Sequence, residues 1–231
     1  MWRVKYGEQY LHDPVGDEHA LTDIRMGMEA NAAGWCEFTI PEGHPLKSML
    51  KDRDRSNPVE VWLDDEMLWA GFVYERSSDF LLSGRVSCKG ELAYLDDVLV
   101  RPYSTVPGKQ PLTAPSSVDG YFSWLIDRYN ERVDSSRRFV VGVNNGAELD
   151  GNNHILRESS QLPTVSREIQ DKLIERLGGY LFVRRSGGVR YIDYLADCSD
   201  VNAQVIDFGE NLLDFARTDT TNGLFTAVRP E

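Results

Sequence analysis

The chain has 231 residues, 41% hydrophobic and 27% charged, with a formal net charge of −12 at pH 7. That length suffices for one large domain or two smaller ones, with a core that needs no staples. The acidic balance argues against phosphate-driven binding of DNA or RNA, which needs clustered Lys and Arg, and no apolar run approaches the roughly 18 residues of a membrane span.

The first hundred residues predict strands. Trp2-Arg3-Val4-Lys5-Tyr6 alternates, and Gly7-Glu8 turns it into Tyr10-Leu11. Trp35 to Ile40 is a second strand, closed by Pro41. Val59 to Leu63 and Met67 to Tyr74 flank the acidic turn Asp64-Asp65-Glu66 and predict a β-hairpin. Phe80 to Cys88 predicts the next strand. Several short strands with regular turns suit a small barrel or sandwich.

After Val100 the pattern changes. Residues 101–120 hold Pro102, Pro107, Pro111 and Pro115, which predicts a linker or long loop. Phe122, Leu125, Ile126, Tyr129 and Val133 then recur at helical spacing, with Asp119 as the expected N-cap. Residues 144–163 are polar and read as loop. Thr164 caps a second expected helix, whose Val165, Ile169, Leu173 and Leu177 form one stripe that Gly178-Gly179 ends. Tyr180 to Arg184 and Val189 to Leu195 predict a hairpin around Ser186-Gly187-Gly188.

No catalytic signature emerges. GxSxG, GxxxxGK[ST] and GxGxxG are absent. Cys36, Cys88 and Cys198 are far apart, odd in number and without CxxC spacing, which argues against a disulfide framework or a zinc site and for small core hydrophobes. His12 and His19 lie among Asp13, Asp17, Glu18 and Asp23, yet without HExxH or EF-hand spacing. His44-Pro45 after Pro41-Glu42-Gly43 reads as a rigid turn, and His154 as a solvated loop side chain. The many carboxylates show no spacing that identifies a glycosidase pair.

The order of short motifs carries further information. Tyr10 to Pro14 is followed by Glu29 to Gly34, then Phe38-Thr39-Ile40-Pro41 and His44-Pro45. Gly71-Phe72-Val73 follows in the hairpin. Next come Cys88 to Asp97, with Gly90, Leu92, Tyr94, Leu95 and Asp96, and then Pro102. Further on stand Glu168 to Leu181 with Gly179-Tyr180, Val189 to Tyr194 with Asp193, and Ile206 to Asp214 with Gly209, Asn211 and Leu212. Phe225 to Pro230 ends the series. In this order the chain resembles the N-terminal, baseplate-hub-like region of the phage tail-associated, or prophage endopeptidase tail, family. Gly34, Gly71 and Gly90 also read simply as turn or close-packing positions.

The resemblance implies an α+β fold: a mainly antiparallel β-barrel of tail-tube type plus a smaller helix-and-hairpin domain. It implies a first tube-like barrel over 1–100, a Pro-rich linker over 101–120 and an inserted α+β domain over 121–200. The start of a second barrel, cut short at Glu231, is expected over 201–231. The implied function is structural: a tail-tip hub that joins the tail tube to the tip and host-recognition apparatus and lets DNA pass. Implied partners are two further copies in a trimer, a distal tail protein or tail tube, and downstream tip proteins. The implied location is the virion tail, after assembly in the bacterial cytoplasm. The resemblance implies that enzymatic activity, where present, resides in C-terminal extensions; with the missing signatures, no catalytic residue, metal or cofactor is expected. The acidic balance and lack of a long apolar run argue against stable nucleic-acid binding and membrane insertion. Two other classes compete: a phage peptidase or cell-wall hydrolase, which needs a cleft with perturbed ionisable groups, and a carbohydrate-binding module using Trp62 and Trp69.

Overall fold

Alternating burial sorts the first ninety residues onto one antiparallel sheet. Its strands are β1 (Trp2–Tyr6), β2 (Gln9–His12), β3 (Thr22–Gly27), β4 (Trp35–Ile40), β5 (Val59–Leu63), β6 (Glu66–Ser78) and β7 (Gly84–Gly90). The computed structural model describes residues 1–15, 20–50, 55, 57–78, 84–108 and 112–198. The strand order is β2-β1-β5-β6-β7-β4-β3, with the expected hairpin β5–β6 at its centre. β3 has no strong alternation in sequence and was not expected; it is a mostly exposed edge, held by pairing with β4.

One face of all seven strands packs into a single cluster. Val4, Leu11, Phe38, Val61, Val73 and Val86 lie in it, with Leu46 and Leu50 from the segment around a 3-10 turn (Lys47–Met49). A sheet that buries one face largely against itself must curl. It forms a half-barrel rather than the expected barrel, because among the described residues no ladder joins the edge strands β2 and β3. The local chemistry explains the gap. Pro14 follows β2 and offers no N–H, while Asp23 sits at φ 51° where the β3–β4 register shifts.

Histidines bridge the gap instead. The Leu21 N–H donates to His12 Nδ1 at 3.2 Å. His44 is buried; its Nε2 donates to the Leu11 carbonyl at 2.9 Å, while its Nδ1 accepts the Leu46 N–H at 3.2 Å. The His44-Pro45 turn is therefore a packed strut, with only Pro45 exposed.

The middle of β6 is buried on both faces. Val73 points into the half-barrel, and Phe72 points into a second core. That core holds a 3-10 segment (Glu91–Asp97), β8 (Tyr103–Ser104), α1 (Val118–Asn130) and β9 (Val140–Asn144). Next come β10 (Glu158–Ser159) and a continuous helical run of α2 (Val165–Ile169), a π turn (Gln170–Ile174) and α3 (Glu175–Leu177). β11 (Tyr180–Ser186) and β12 (Val189–Leu195) complete it. The apolar stripe explains the π turn. Residues four apart drift by roughly 40° per step in an ideal α-helix. A wider turn offsets that drift, and Val165, Ile169 and Leu173 all stay fully buried.

Residues 101–120 are not a free linker. Tyr103, Ser104, Thr105, Ala114 and Val118 are buried, and β8 pairs with β10. The prolines shape a packed crossing here. The N-cap of α1 is Ser117, whose hydroxyl accepts the Gly120 N–H, rather than Asp119 two residues on in the first turn. Thr164 caps α2 as expected. β9, within a stretch with no assignment from sequence, pairs parallel to β12. Distance in sequence hid another pairing: Cys36 and Cys88 stand opposite each other on β4 and β7 as free, buried thiols. The expected second barrel over 201–231, His19 and the start of the strand from Phe80 lie outside the described residues.

Candidate functional site

Three of the motif glycines meet at one indole. Trp69 of β6 is 6% exposed and lies on a floor made by Gly34, Gly71 and Gly90. A Cβ on Gly71 would stand 2.1 Å from the Lys89 carbonyl oxygen and 2.4 Å from the Trp69 ring. One on Gly90 would stand 1.7 Å from the Ala33 carbonyl oxygen. Gly34, at φ 68°, would bring a Cβ within 2.8 Å of the Gly27 carbonyl oxygen. The glycines are thus close-packing positions, and at each of the three the nearest obstructing atom is a backbone carbonyl oxygen, which cannot swing aside as a side chain can. Trp69 Nε1 is buried there without a hydrogen-bond partner among the described residues. Its burial places Trp69 in the core rather than on a sugar platform. Trp62 is half-buried beneath Lys5, with its Nε1 donating to Glu60 at 3.1 Å.

The Gly90 to Asp96 motif turns from β7 into the second core. Tyr94 and Leu95 are buried, Leu92 packs alongside, and Tyr94 stacks on Phe72 at 4.8 Å. Asp96 is exposed. Its neighbour Asp97, which the motif does not single out, carries the contacts: Arg55 at 3.0 Å and Arg137 at 3.5 Å. Phe38 is core, Gly179 takes φ 88° to turn from helix to strand, and Tyr180 is partly exposed beside Phe182. Asp193 is buried; it accepts the Val143 N–H at 2.6 Å and pairs with Arg184 at 2.6 Å, filling the β9–β12 irregularity. Gly209, Asn211 and Leu212 lie outside the described residues.

Two buried polar clusters were not visible in the sequence, because bonded members stand as far as 125 positions apart. In the first, Glu91 receives Arg185 and Arg190, and Arg185 also reaches Glu60 at 3.0 Å. Burial pushes the Glu91 carboxyl up, but the hydrogen bonds and charges of the two guanidinium groups outweigh it and hold the carboxyl below its usual value. In the second, the hydroxyls of Tyr103 and Tyr121 both donate to Glu168 Oε2, at 2.5 and 2.9 Å, and contact each other. Burial pushes both phenols well up. In both clusters every carboxylate is tied to donors inside the fold. Among the described residues no group of three or more His, Cys, Asp and Glu side chains is placed to hold a metal ion.

Above the Glu91 cluster runs a groove of about 900 Å³, between β6 and the β3–β4 loop on one side and β11 on the other. It is lined by apolar side chains such as Met28, Trp62, Met67 and Phe182, by the carboxylates Glu29, Asp65 and Glu66, and by Arg184 and Arg185.

This two-core arrangement has a counterpart among solved structures. The fold is shared with a prophage tail protein. The 43 kDa tail protein of prophage MuSo2 from Shewanella oneidensis aligns over 83% of this chain and 54% of its own, at 14% identity and a TM-score of 0.50. Prophage tail protein gp18 from Listeria monocytogenes EGD-e aligns over 84% of this chain and 49% of its own, at 12% identity and a TM-score of 0.48. The chain thus spans about half the length of these tail proteins. No family model and no curated protein matches the sequence.

Proposed function

We propose that this chain is a structural component of a phage or prophage tail, and that it belongs to the hub at the tail tip. The observation that carries the reading is the shared fold with the MuSo2 tail protein, over 83% of this chain. The ordered motifs of the sequence point the same way. The fine placement rests on them: three copies in a ring, joining the tail tube to the tip and host-recognition apparatus around a channel for DNA.

The chemistry supports a scaffold over a hydrolase. The buried carboxylates Glu91 and Glu168 are held by Arg or Tyr donors, whereas a general acid or base needs access to substrate. The excess of 37 Asp and Glu over 25 Lys and Arg fits a hub whose lumen repels the duplex and keeps it mobile.

The test is an in-frame deletion in the encoding phage, with an epitope-tagged copy for rescue. Particles lacking finished tails, and label confined to the tail tip in rescued particles, are the expected result. Complete, infective tails without the protein would overturn the tail reading. Label along the tube or at the head-proximal end would overturn the tip assignment alone.

A further inference from the structure

β11 is an edge strand with one side of its backbone unused. The turn Gly187-Gly188, at φ 58° and 78°, closes the β11–β12 hairpin with Ser186 opposite Val189. In such a two-residue hairpin the closing pair is hydrogen-bonded, and alternate pairs after it are too. Ser186, Arg184 and Phe182 therefore bond to β12, while the N–H and C=O groups of Arg185, Val183 and Leu181 face away. Asn31 marks that direction. Its Oδ1 accepts the Leu181 N–H at 2.7 Å, and its Nδ2 donates to the Gly179 carbonyl at 3.0 Å. One amide side chain thus stands where a neighbouring strand would. Beyond it, the Leu181 carbonyl, both backbone groups of Val183 and the Arg185 N–H have no partner among the described residues.

The groove lies along this edge. Consecutive residues Leu181 to Ser186, from both faces of β11, line it, and no β12 residue does. Glu66 to Ala70 of β6 line the opposite wall, in the stretch before the β7 ladder begins at Gly71. Met28, Trp62, Met67 and Phe182 make the walls apolar. Glu29, Asp65 and Glu66 line it too and form no ion pair among the described residues. Natural edges are usually blunted by a bulge, proline or inward charge. β11 has a regular register and the apolar run Tyr180-Leu181-Phe182-Val183, and the two charges that follow it, Arg184 and Arg185, are already paired with Asp193 and Glu91.

We propose that an extended segment of a partner polypeptide adds to β11 as a further strand within this groove, with apolar residues at alternate positions and Lys or Arg between them. The free N–H and C=O groups specify an extended main chain. The apolar walls take alternate side chains, and the unpaired carboxylates select the cationic ones. The inference does not rest on the tail reading, and its failure would leave that reading untouched.

The probe is an end-blocked synthetic peptide of about ten residues that alternates valine and lysine. Two counterparts carry glutamate for lysine, or N-methyl groups on alternate residues. The N-methylated peptide keeps the charge, so it separates strand pairing from unspecific attraction to an acidic chain. Calorimetry and amide exchange on the whole protein are the readouts. The lysine peptide should bind and slow exchange at the Val183 and Arg185 amides, and both counterparts should bind at least about tenfold more weakly. The doubly charge-reversed variant Glu29→Lys, Glu66→Lys alters only exposed side chains and should lose a similar factor. No binding of the lysine peptide, equal binding of the N-methylated one, or unchanged exchange at Val183 and Arg185 would each overturn the proposal. So would self-association that protects the same amides without peptide, since the occupant would then be a second copy.

Discussion

Arg190 Nε donates to Glu91 Oε1 at 2.8 Å, and both side chains are buried. Glu91 begins the segment that leaves the half-barrel, and Arg190 sits on β12 of the second core. With Arg185 on β11, the cluster pins the β11–β12 hairpin to the sheet. Removing one partner of a buried ion pair strands the other's charge. Glu91→Ala should therefore cost about 3–5 kcal/mol in denaturant unfolding. Arg190→Met, which also leaves Glu91 the Arg185 partner, should cost less. Equal stability of Glu91→Ala and the native chain would show that water reaches the cluster freely.

The same carboxylate gives a pH dependence of defined sign. Its folded-state value lies below the ordinary one, because the guanidinium groups outweigh the upward push of burial. Its contribution is therefore fully present above the unfolded carboxylate value of about 4.3 and is lost as pH falls through the folded value. Unfolding midpoints measured from neutral pH down through this range should fall, and Glu91→Gln should flatten part of that fall. A Glu91→Gln profile parallel to that of the native chain would refute the assignment.

Local pattern made the strands and helices legible. Val59–Leu63 and Met67–Tyr74 announce themselves as apolar-rich runs around an acidic turn, though β6 runs on to Ser78, and the helix stripes show by their spacing. Composition carried less. Four prolines suggested a linker or long loop at 101–120; the described part before α1 is mostly irregular, but Tyr103 and Val118 are buried within it. Closure of the barrel was also illegible, since it depends on the edges and not on strand content. The candidate groove escaped for a similar reason: an unpaired edge exists only once every other pairing is known. The glycine motif was legible as close packing, but its cause, the Trp69 indole, was not.

His44 tests how far side chains substitute for the missing ladder. Its ring holds the Leu11 carbonyl on the β2 edge and the Leu46 N–H on the chain after β4. His44→Ala leaves both groups in a buried site, at a cost of about 1–3 kcal/mol for each unsatisfied group. His44→Gln offers one donor and one acceptor and should recover part of that. Amide exchange should accelerate first in β2, which among the described residues pairs with β1 alone. Uniform acceleration across all seven strands would mean that the half-barrel opens as a whole, not at this seam.

Gly90 offers the sharpest contrast between a required glycine and a tolerant one. An alanine methyl there would overlap the Ala33 carbonyl oxygen at 1.7 Å, and Ala33 belongs to the loop whose Asn31 holds the β11 edge. Relief requires that loop to move away from β7 and break the Gly90 N–H bond to the Gly34 carbonyl. Such backbone displacement falls among the exceptional changes of about 4 kcal/mol or more. Gly43→Ala is the control, because a Cβ there meets nothing within 4 Å. It should be neutral, within about 0.5 kcal/mol. Gly90→Ala should unfold at clearly lower denaturant and lose protection at Leu181, whose N–H depends on Asn31. A Gly90→Ala variant as stable as Gly43→Ala would mean that the loop yields without cost, and that Gly34, Gly71 and Gly90 are not the bed on which Trp69 packs.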